Sequence, residues 1–412
     1  MTGDLTEDAI AIVGIGCRYA GAADATQFWD NLRAGRDRFT RGAPVPPGDG
    51  ARDIAAWGLI PDRDLYDAGL VGYTTETAER DPQHGMLYEA LWAAVEDAGL
   101  RLSDINESTA MYCGVARTKH VERGTFESTV DIDATFAGPH FSYFHNLQRE
   151  SIMVDASCAT GLVLVHLACQ SLRLGASDYA LAGGVAVMET DGTYEYTPNG
   201  IYSSEGMCRP FDRASTGTVP GDGVGAVLLR RLGDAMRDGD PIHAVIRSSA
   251  VDNDGKQKAG FTIPGVEGKI RVIRQALAAA GVTGADLGYV EAHGVGIPMN
   301  DQIEAIALTE ALGSAGQPLA VGSVKASIGH TDTAAGLAAL IKTAYAVEHG
   351  FLPATPNTGE PIEELIAGGE RFSILPEGRD WMPEGPRRAG VMSAGIGGTN
   401  AFAIVEQVPC SA

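Results

Sequence analysis

The chain has 412 residues, 44% hydrophobic and 20% charged, values of an ordinary globular protein that exclude a fibre and a largely disordered chain. Fifty-three acidic residues against 31 basic ones leave a formal charge of -22, so nucleic acid and anionic membrane surfaces, which repel a polyanion, are excluded as partners. Glycine is the outlier at 53 residues, a share that signals either many loops or many close backbone approaches.

Residues 9–16 (AIAIVGIG) form a continuous apolar run bounded by glycine, the mark of a strand buried on both faces. Residues 86–99 place Met86, Leu87, Ala90, Leu91, Ala94, Val95 and Ala98 at helical spacing and stop at Gly99, a good residue just past a helix end. A polar turn leads to a strand at 110–115. Residues 157–174 read as a helix with two apolar stripes, hence central and buried, and 179–188 (YALAGGVAVM) return as a strand. This alternation predicts an α/β fold. Residues 94–114 and 276–294 resemble each other faintly: each runs helix end, Ala-Gly, an Asp-bearing turn, a strand and a glycine. They suggest a duplicated unit with halves 1–240 and 241–412, joined near 235–245 by a polar, Gly- and Pro-marked stretch that reads as a linker.

The six cysteines, at 17, 113, 158, 169, 208 and 410, show no C-x-x-C pair and follow nothing like a signal peptide, so reduced thiols in a cytoplasmic protein are expected. No apolar stretch approaches the roughly 18 residues of a membrane span. Cys158 lies in SIMVDASCATG, in the first turn of the expected helix, where the helix dipole and free N–H groups lower a thiol's pKa and can hold an oxyanion. The competing role for any cysteine is a small core hydrophobe, and Cys17, Cys113, Cys169 and Cys208 fit it. His293 (YVEAHGVGI) and His330 (VKASIGHTDTAAG, with Lys325 upstream) both sit at strand exits into glycine-marked turns, where α/β proteins keep their chemistry. Singly, each histidine is more commonly structural. Together with Cys158 they make a nucleophile and two donors. No close ligand pair argues for metal, and no Gly-Lys-Ser/Thr or complete G-x-G-x-x-G argues for nucleotide. The glycines at 221–225, 294–296 and 395–398 instead allow tight backbone packing around a thiol and a narrow acyl tunnel.

As a set these motifs resemble the β-ketoacyl synthases of the thiolase superfamily, most closely the ketosynthase domains of modular type I polyketide synthases. The matching pieces, in order, are AIAIVGIGCRYAG (9–21), DPQHGMLYEALWAAVEDAG (81–99), VDASCATGLVLVHLACQSLRLG (154–175), LAGGVAVM (181–188), CRPFDRASTGTVPGDGVGAVLL (208–229), VEAHGVGIPMNDQIEA (290–305), VKASIGHTDTAAGLAALIK (324–342) and GIGGTNA (395–401). The resemblance implies a duplicated five-layered αβαβα fold and a homodimer. It implies that Cys158 takes an acyl chain from the phosphopantetheine arm of an acyl carrier protein. His293 and His330 match the pair that assists malonyl decarboxylation and stabilises the enolate, and Lys325 matches the lysine that organises the site. No cofactor of its own is implied; the carrier's arm brings the substrate.

The departures bear on which reaction occurs. Val295 and Ile297 stand where the family has two threonines that bond the arm, a loss of about 0.5–1.5 kcal/mol for each hydrogen bond not replaced. Ala159, Thr160 and Gly161 replace a serine run, Ala394 replaces a phenylalanine beside the gatekeeper position held by Ile396, and Phe402 replaces a histidine. A wider, more apolar pocket is expected. Two function classes follow: decarboxylative condensation by a free-standing enzyme, or thioester chemistry without decarboxylation, as acyl transfer or ring closure with product release. A catalytically dead scaffold is a third, which the intact Cys, His, His and Lys oppose. For docking an acidic carrier, two basic clusters are candidates: Arg33, Arg36 and Arg38, and Lys269, Arg271 and Arg274.

Overall fold

The computed structural model describes residues 8–42, 50–63, 65–71, 81–117 and 133–409. The apolar runs become the strands of one sheet: β1 (Ile10–Tyr19), β2 (Thr109–Val115), β3 (Ser151–Met153), β4 (Tyr179–Ala186), β5 (Gly223–Arg231), β6 (Ala244–Asn253), β7 (Tyr289–Glu291), β8 (Leu319–Gly322), β9 (Phe372–Ile374), β10 (Arg388–Ala394) and β11 (Thr399–Glu406). Their order is β9-β8-β7-β10-β11-β6-β1-β5-β4-β2-β3. The middle pair, β1 and β6, is antiparallel with Ile10 opposite Ile246. Outward from β1, the steps to β5 and β4 are antiparallel and those to β2 and β3 parallel. Outward from β6, the steps to β11 and β10 are antiparallel and those to β7 and β8 parallel. The faint sequence repeat is the trace of this matching topology.

Helices fill the space on both sides of each half-sheet. Flanking β1 on the chain is α1 (Ala25–Arg33), and α2 (Pro82–Asp97) covers β1, β5 and β4 from outside. It begins at Pro82, earlier than the apolar spacing indicates, because Asp81 caps it by accepting from the Gln83 N–H; it ends before Gly99 at φ +69, as the glycine foretells. A short helix α3 (Ala137–His145) packs on β3. Two helices lie between the half-sheets, α4 (Thr160–Arg173) and α8 (Ala335–His349), each touching strands of both. Every residue of α8 from Ala335 to Val347 is buried, which is why its sequence is apolar all round. On the far side α5 (Val266–Ala280) covers β6 and β11, and α6 (Pro298–Leu312) packs against α5; the one-turn α7 (Lys325–Ile328) follows β8. Five layers result: helices, half-sheet, α4 with α8, half-sheet, helices. Among the described residues no helix is long and apolar enough to cross a membrane.

Two glycines let the central helices meet. A Cβ on Gly161 would lie 2.8 Å from the Leu337 nitrogen, and one on Gly336 would lie 2.5 Å from the Leu162 nitrogen, both inside van der Waals contact. Backbone therefore packs on backbone where α4 and α8 begin, and the loops that precede these helices, carrying Cys158 and His330, are brought together.

In the stretch near 235–245 a helix, Leu232–Asp238, ends before the turn that leads to β6, and Asp238 and Asp240 both pair with Arg230 of β5. Cys17, Cys113, Cys169 and Cys208 are buried free thiols, as core residues should be; Cys410 lies outside the described residues.

Candidate active site

Cys158 sits on a tight elbow just before α4, not within its first turn: Ala159 is the N-cap and Thr160 the first helical residue. Ser157 adopts φ +54, a left-handed conformation disfavoured for a residue with a Cβ. Thr160 holds the bend, its hydroxyl donating to the Ser157 carbonyl at 2.6 Å and accepting from the Ala156 N–H at 2.8 Å. From β10, the Ser393 hydroxyl donates to the Cys158 carbonyl at 2.9 Å. The expected fall in the thiol's pKa is reversed. Burial, followed by the Asp332 carboxylate, pushes Cys158 up to about 11, against the smaller pull of Ser157 and Lys325.

The two imidazoles face the same space. Their ring centroids lie 5.9 Å apart with planes nearly perpendicular. His293 leaves β7 through Ala292, and its Nδ1 accepts from the Ala394 N–H at 3.3 Å. His330 precedes α8, and its Nδ1 accepts from the Asp332 N–H at 3.1 Å. An Nδ1 that accepts leaves the proton on Nε2, so each ring offers an Nε2–H donor. Both are held neutral. Burial pushes His330 down to about 3 and His293 well below the usual imidazole value, and Lys325 adds to both.

Beneath the histidines lies a buried charge network. Lys325 donates from Nζ to the His293 carbonyl at 2.7 Å. Glu304 of α6 accepts from the backbone N–H of His293 at 2.7 Å and of Gly294 at 2.8 Å. One turn earlier, Asp301 accepts from Val295 at 3.0 Å, Gly296 at 3.1 Å and Phe211 at 2.9 Å. Burial pushes Asp301 up to about 7, against those three amides. Glu291 accepts from the Val324 N–H at 2.5 Å and pairs with Lys342 at 2.8 Å. The carboxylates thus fix the path of both histidine loops, and the lysines offset the charge they bury.

The chemistry of such a set is nucleophilic attack by a thiol, with two neutral donors for developing negative charge. A model of the beta-ketoacyl synthase N-terminal domain matches residues 7–235, and one of the C-terminal domain matches 243–359. The chain belongs to the β-ketoacyl synthase family. It is 39% identical to a phenolphthiocerol/phthiocerol polyketide synthase of Mycobacterium tuberculosis, over 97% of this chain and 27% of that protein. Polyketide synthase GfsE of Streptomyces halstedii is 39% identical over 99% of this chain and 11% of its own length. The chain thus spans less than a third of the curated relatives it matches. Among solved structures, ketosynthase twelve of the bacillaene polyketide synthase from Bacillus amyloliquefaciens superposes with a TM-score of 0.90 at 33% identity, covering 98% of this chain and 74% of that one. The ketosynthase from module 1 of the bacillaene synthase of strain FZB42 gives 0.89 at 32%, covering 98% and 76%. The chain shares the α/β thiolase fold of these ketosynthases.

Other residues singled out from the sequence of the ketosynthase fall in different places. Val295 is buried, and its carbonyl accepts from the Cys208 thiol at 3.5 Å. Ile297 is half-buried and caps α6. Ala394 is buried and contributes its amide to His293, and Ile396 is 49% exposed. Phe402 does not widen the pocket as expected: it is fully buried in the core that α5 and α6 build on the sheet, its ring against Gly390. Lys269 is no docking residue. It is buried and donates to Asn400 Oδ1 at 3.1 Å, while Arg271 pairs with Asp252 and Arg274 with Glu310. Arg33 and Arg36 are exposed, and the Arg38 N–H donates to the carbonyl of Ser327 at 2.8 Å, between Lys325 and His330. Glu304, Asp301 and Asp332 were not picked out in sequence. For the first two a signal existed: two acids three apart, directly after Pro298, share the face of a nascent helix.

Proposed function

We propose that the ketosynthase accepts an acyl group from the phosphopantetheine arm of an acyl carrier protein onto Cys158 and extends it by decarboxylative Claisen condensation, in polyketide biosynthesis in the cytoplasm. The observation that carries this reading is the pair of neutral imidazoles, ring centroids 5.9 Å apart, with His293 bound to Ala394 of the strand whose Ser393 holds the Cys158 carbonyl. Loading forms the Cys158–acyl thioester and frees the arm's thiol. A malonyl-type thioester then loses CO2; the electrons of the broken bond become an enolate, whose oxygen His293 and His330 stabilise by hydrogen bonding without giving up a proton. The enolate carbon attacks the acyl carbonyl, and the Cys158 thiolate leaves. Neutral imidazoles suit this step better than imidazolium, which would quench the carbanion by protonation. Lys325 holds the His293 carbonyl and lowers both imidazole pKa values. No cofactor of the protein's own enters.

For the carrier we infer docking at Arg33, Arg36 and Arg38, a basic group on an acidic chain that reaches the His330 loop through Ser327. Intact-mass measurement tests both points. Acyl adducts should form on the wild type and not on Cys158→Ala, with CO2 released from malonyl-carrier. Arg33→Glu with Arg36→Glu should slow loading from the carrier roughly tenfold and leave loading from an N-acetylcysteamine thioester unchanged. No adduct from any thioester sinks the nucleophile assignment, adducts without CO2 sink the condensation, and equal slowing of both donors sinks the docking site.

We further infer a homodimer built on β3. Among the described residues this strand ends the sheet, with Ile152 44% exposed and Tyr143 and Phe144 of α3 exposed beside it, an edge that a second copy can extend through a two-fold axis. Sedimentation should give twice the mass of one chain, and Ile152→Lys should give one; a monomeric wild type overturns this.

A further inference from the structure

We propose that Lys342, buried in α8 away from the reacting groups, is a positioning residue for the condensation step, setting His293, Lys325 and His330 in one frame through Glu291. This deepens the reading of the two histidines as the enolate's donors and rests on it. Three elements carry those groups: β7 leads to His293, α7 begins at Lys325, and α8 follows His330 through the turn Asp332–Ala334. The Glu291 carboxylate joins all three. It stands at the end of β7, just ahead of His293. One oxygen accepts from the Val324 N–H at 2.5 Å, the amide directly before Lys325. The other accepts from the Tyr289 hydroxyl and lies 2.8 Å from Nζ of Lys342, about two turns into α8.

Stability does not account for this ion pair. Lys342 and Glu291 are both fully buried, and among the described residues Glu291 is the one carboxylate that Lys342 pairs with; the Tyr289 ring centroid lies 5.7 Å from the ammonium. A buried pair whose ammonium keeps hydrogens without acceptors gains little over apolar side chains of the same volume. What the pair adds is direction. Every residue of α8 from Ala335 to Val347 is buried, and apolar contact, which is non-directional, holds a helix in the core without fixing its rotation. Two contacts set the place of α8: Gly336 against the backbone of α4 at its start, and Lys342 against Glu291 further on. Without the second, the helix can turn about the first.

Such a turn acts on the imidazole of His330 and spares its backbone. The His330 N–H donates to the Val219 carbonyl at 2.8 Å and its carbonyl accepts from the Gly221 N–H at 3.1 Å, so the chain at His330 is held by the segment before β5. The ring is held differently: its Nδ1 accepts from the Asp332 N–H, in the turn joined to α8. Rotation of α8 carries that amide with it and swings the ring. Through Val324 the same carboxylate holds Lys325, whose Nζ bonds the His293 carbonyl at 2.7 Å. Cys158 stands outside the frame, its elbow fixed by Thr160 and Ser393. Lys342 therefore governs the two donors and leaves the thiol's own loading untouched.

The test compares Lys342→Met with the neutral pair Lys342→Met and Glu291→Gln. In both, CO2 release from malonyl-N-acetylcysteamine by acyl-loaded enzyme should fall roughly 10–100-fold, the loss that a misplacement of about 1 Å brings, while loading from butanoyl-N-acetylcysteamine stays within about threefold of the wild type. The single variant leaves Glu291 buried without its cation and should unfold at lower denaturant. The double variant buries no charge at this point and should unfold at the wild-type midpoint or above it. A rate that stays low where the midpoint is restored is the mark of positioning, and a merely structural pair would not give it. If the single variant does not fold, the double variant decides. CO2 release in the double variant within about threefold of the wild type overturns the proposal; so does a double variant whose loading falls in step with its CO2 release, or whose midpoint stays low. A wild type that loads but releases no CO2 fails at the earlier point, the role of the two histidines.

Discussion

Glu304→Ala is expected to lower the stability of the ketosynthase by about 3–5 kcal/mol, the cost of removing one partner from a buried charged network, and to reduce condensation at least 100-fold. The carboxylate is 2% exposed and takes the backbone N–H groups of both His293 and Gly294. It also faces the buried cations Lys269 and Lys325. Alanine leaves two amides without acceptors, each costing about 1–3 kcal/mol, and two ammonium groups short of a counter-charge. The loop then has no reason to keep the turn that aims His293, so the loss of rate should exceed what the lost stability alone explains. Glu304→Gln separates the two effects: it keeps one acceptor and the shape, and should recover part of the stability but little of the rate. Chemical unfolding followed beside CO2 release checks this. A Glu304→Ala protein within 1 kcal/mol of the wild type would mean that Asp301 alone fixes the loop.

The alternation of apolar runs was enough to read an α/β fold, since strands buried on both faces carry uninterrupted apolar residues, and a helix buried on all sides, like α8, is apolar all round. Cys158, His293, His330 and Lys325 were readable as residues because each sits in a short local motif. Their arrangement was not, because it depends on pairs far apart in the chain. Gly161 and Gly336 matter through each other, and nothing in either neighbourhood says so. The same limit explains the errors. Lys269 and Arg271 look alike as charges in a row, yet α5 turns Lys269 toward Asn400 and Arg271 toward Asp252. Phe402 lies near the glycine loop in sequence, but β11 alternates faces and puts its ring on the helix-covered side. The thiol's raised pKa was also out of reach: it comes from burial and from Asp332, which lies 174 residues away in the chain and faces Cys158 only because α4 and α8 begin side by side.

His330→Ala is expected to separate the two half-reactions. Acyl loading on Cys158 should persist within about threefold, while CO2 release falls roughly 10²–10³-fold, the usual loss when one preorganised donor to a developing oxyanion is removed. The pH dependence carries the sharper test. His330 gains a proton only as pH falls through about 3, and His293 lower than the usual imidazole value. Between pH 5.5 and 8, CO2 release by acyl-loaded enzyme should therefore show no limb near the ordinary histidine value of about 6.5. Folding should show one instead. The unfolded chain takes up these protons as pH falls through 6.5 and the folded chain does not, so stability is unaffected above that value. Below it, stability declines by up to roughly 1.4 kcal/mol per pH unit for each imidazole until the folded site titrates too. His330→Ala should remove one imidazole's share of that slope. A CO2-release profile with an apparent pKa of 6–7 would place imidazolium in the working site, and the two donors would then stabilise the enolate by charge, with the risk of protonating it, instead of by neutral hydrogen bonds.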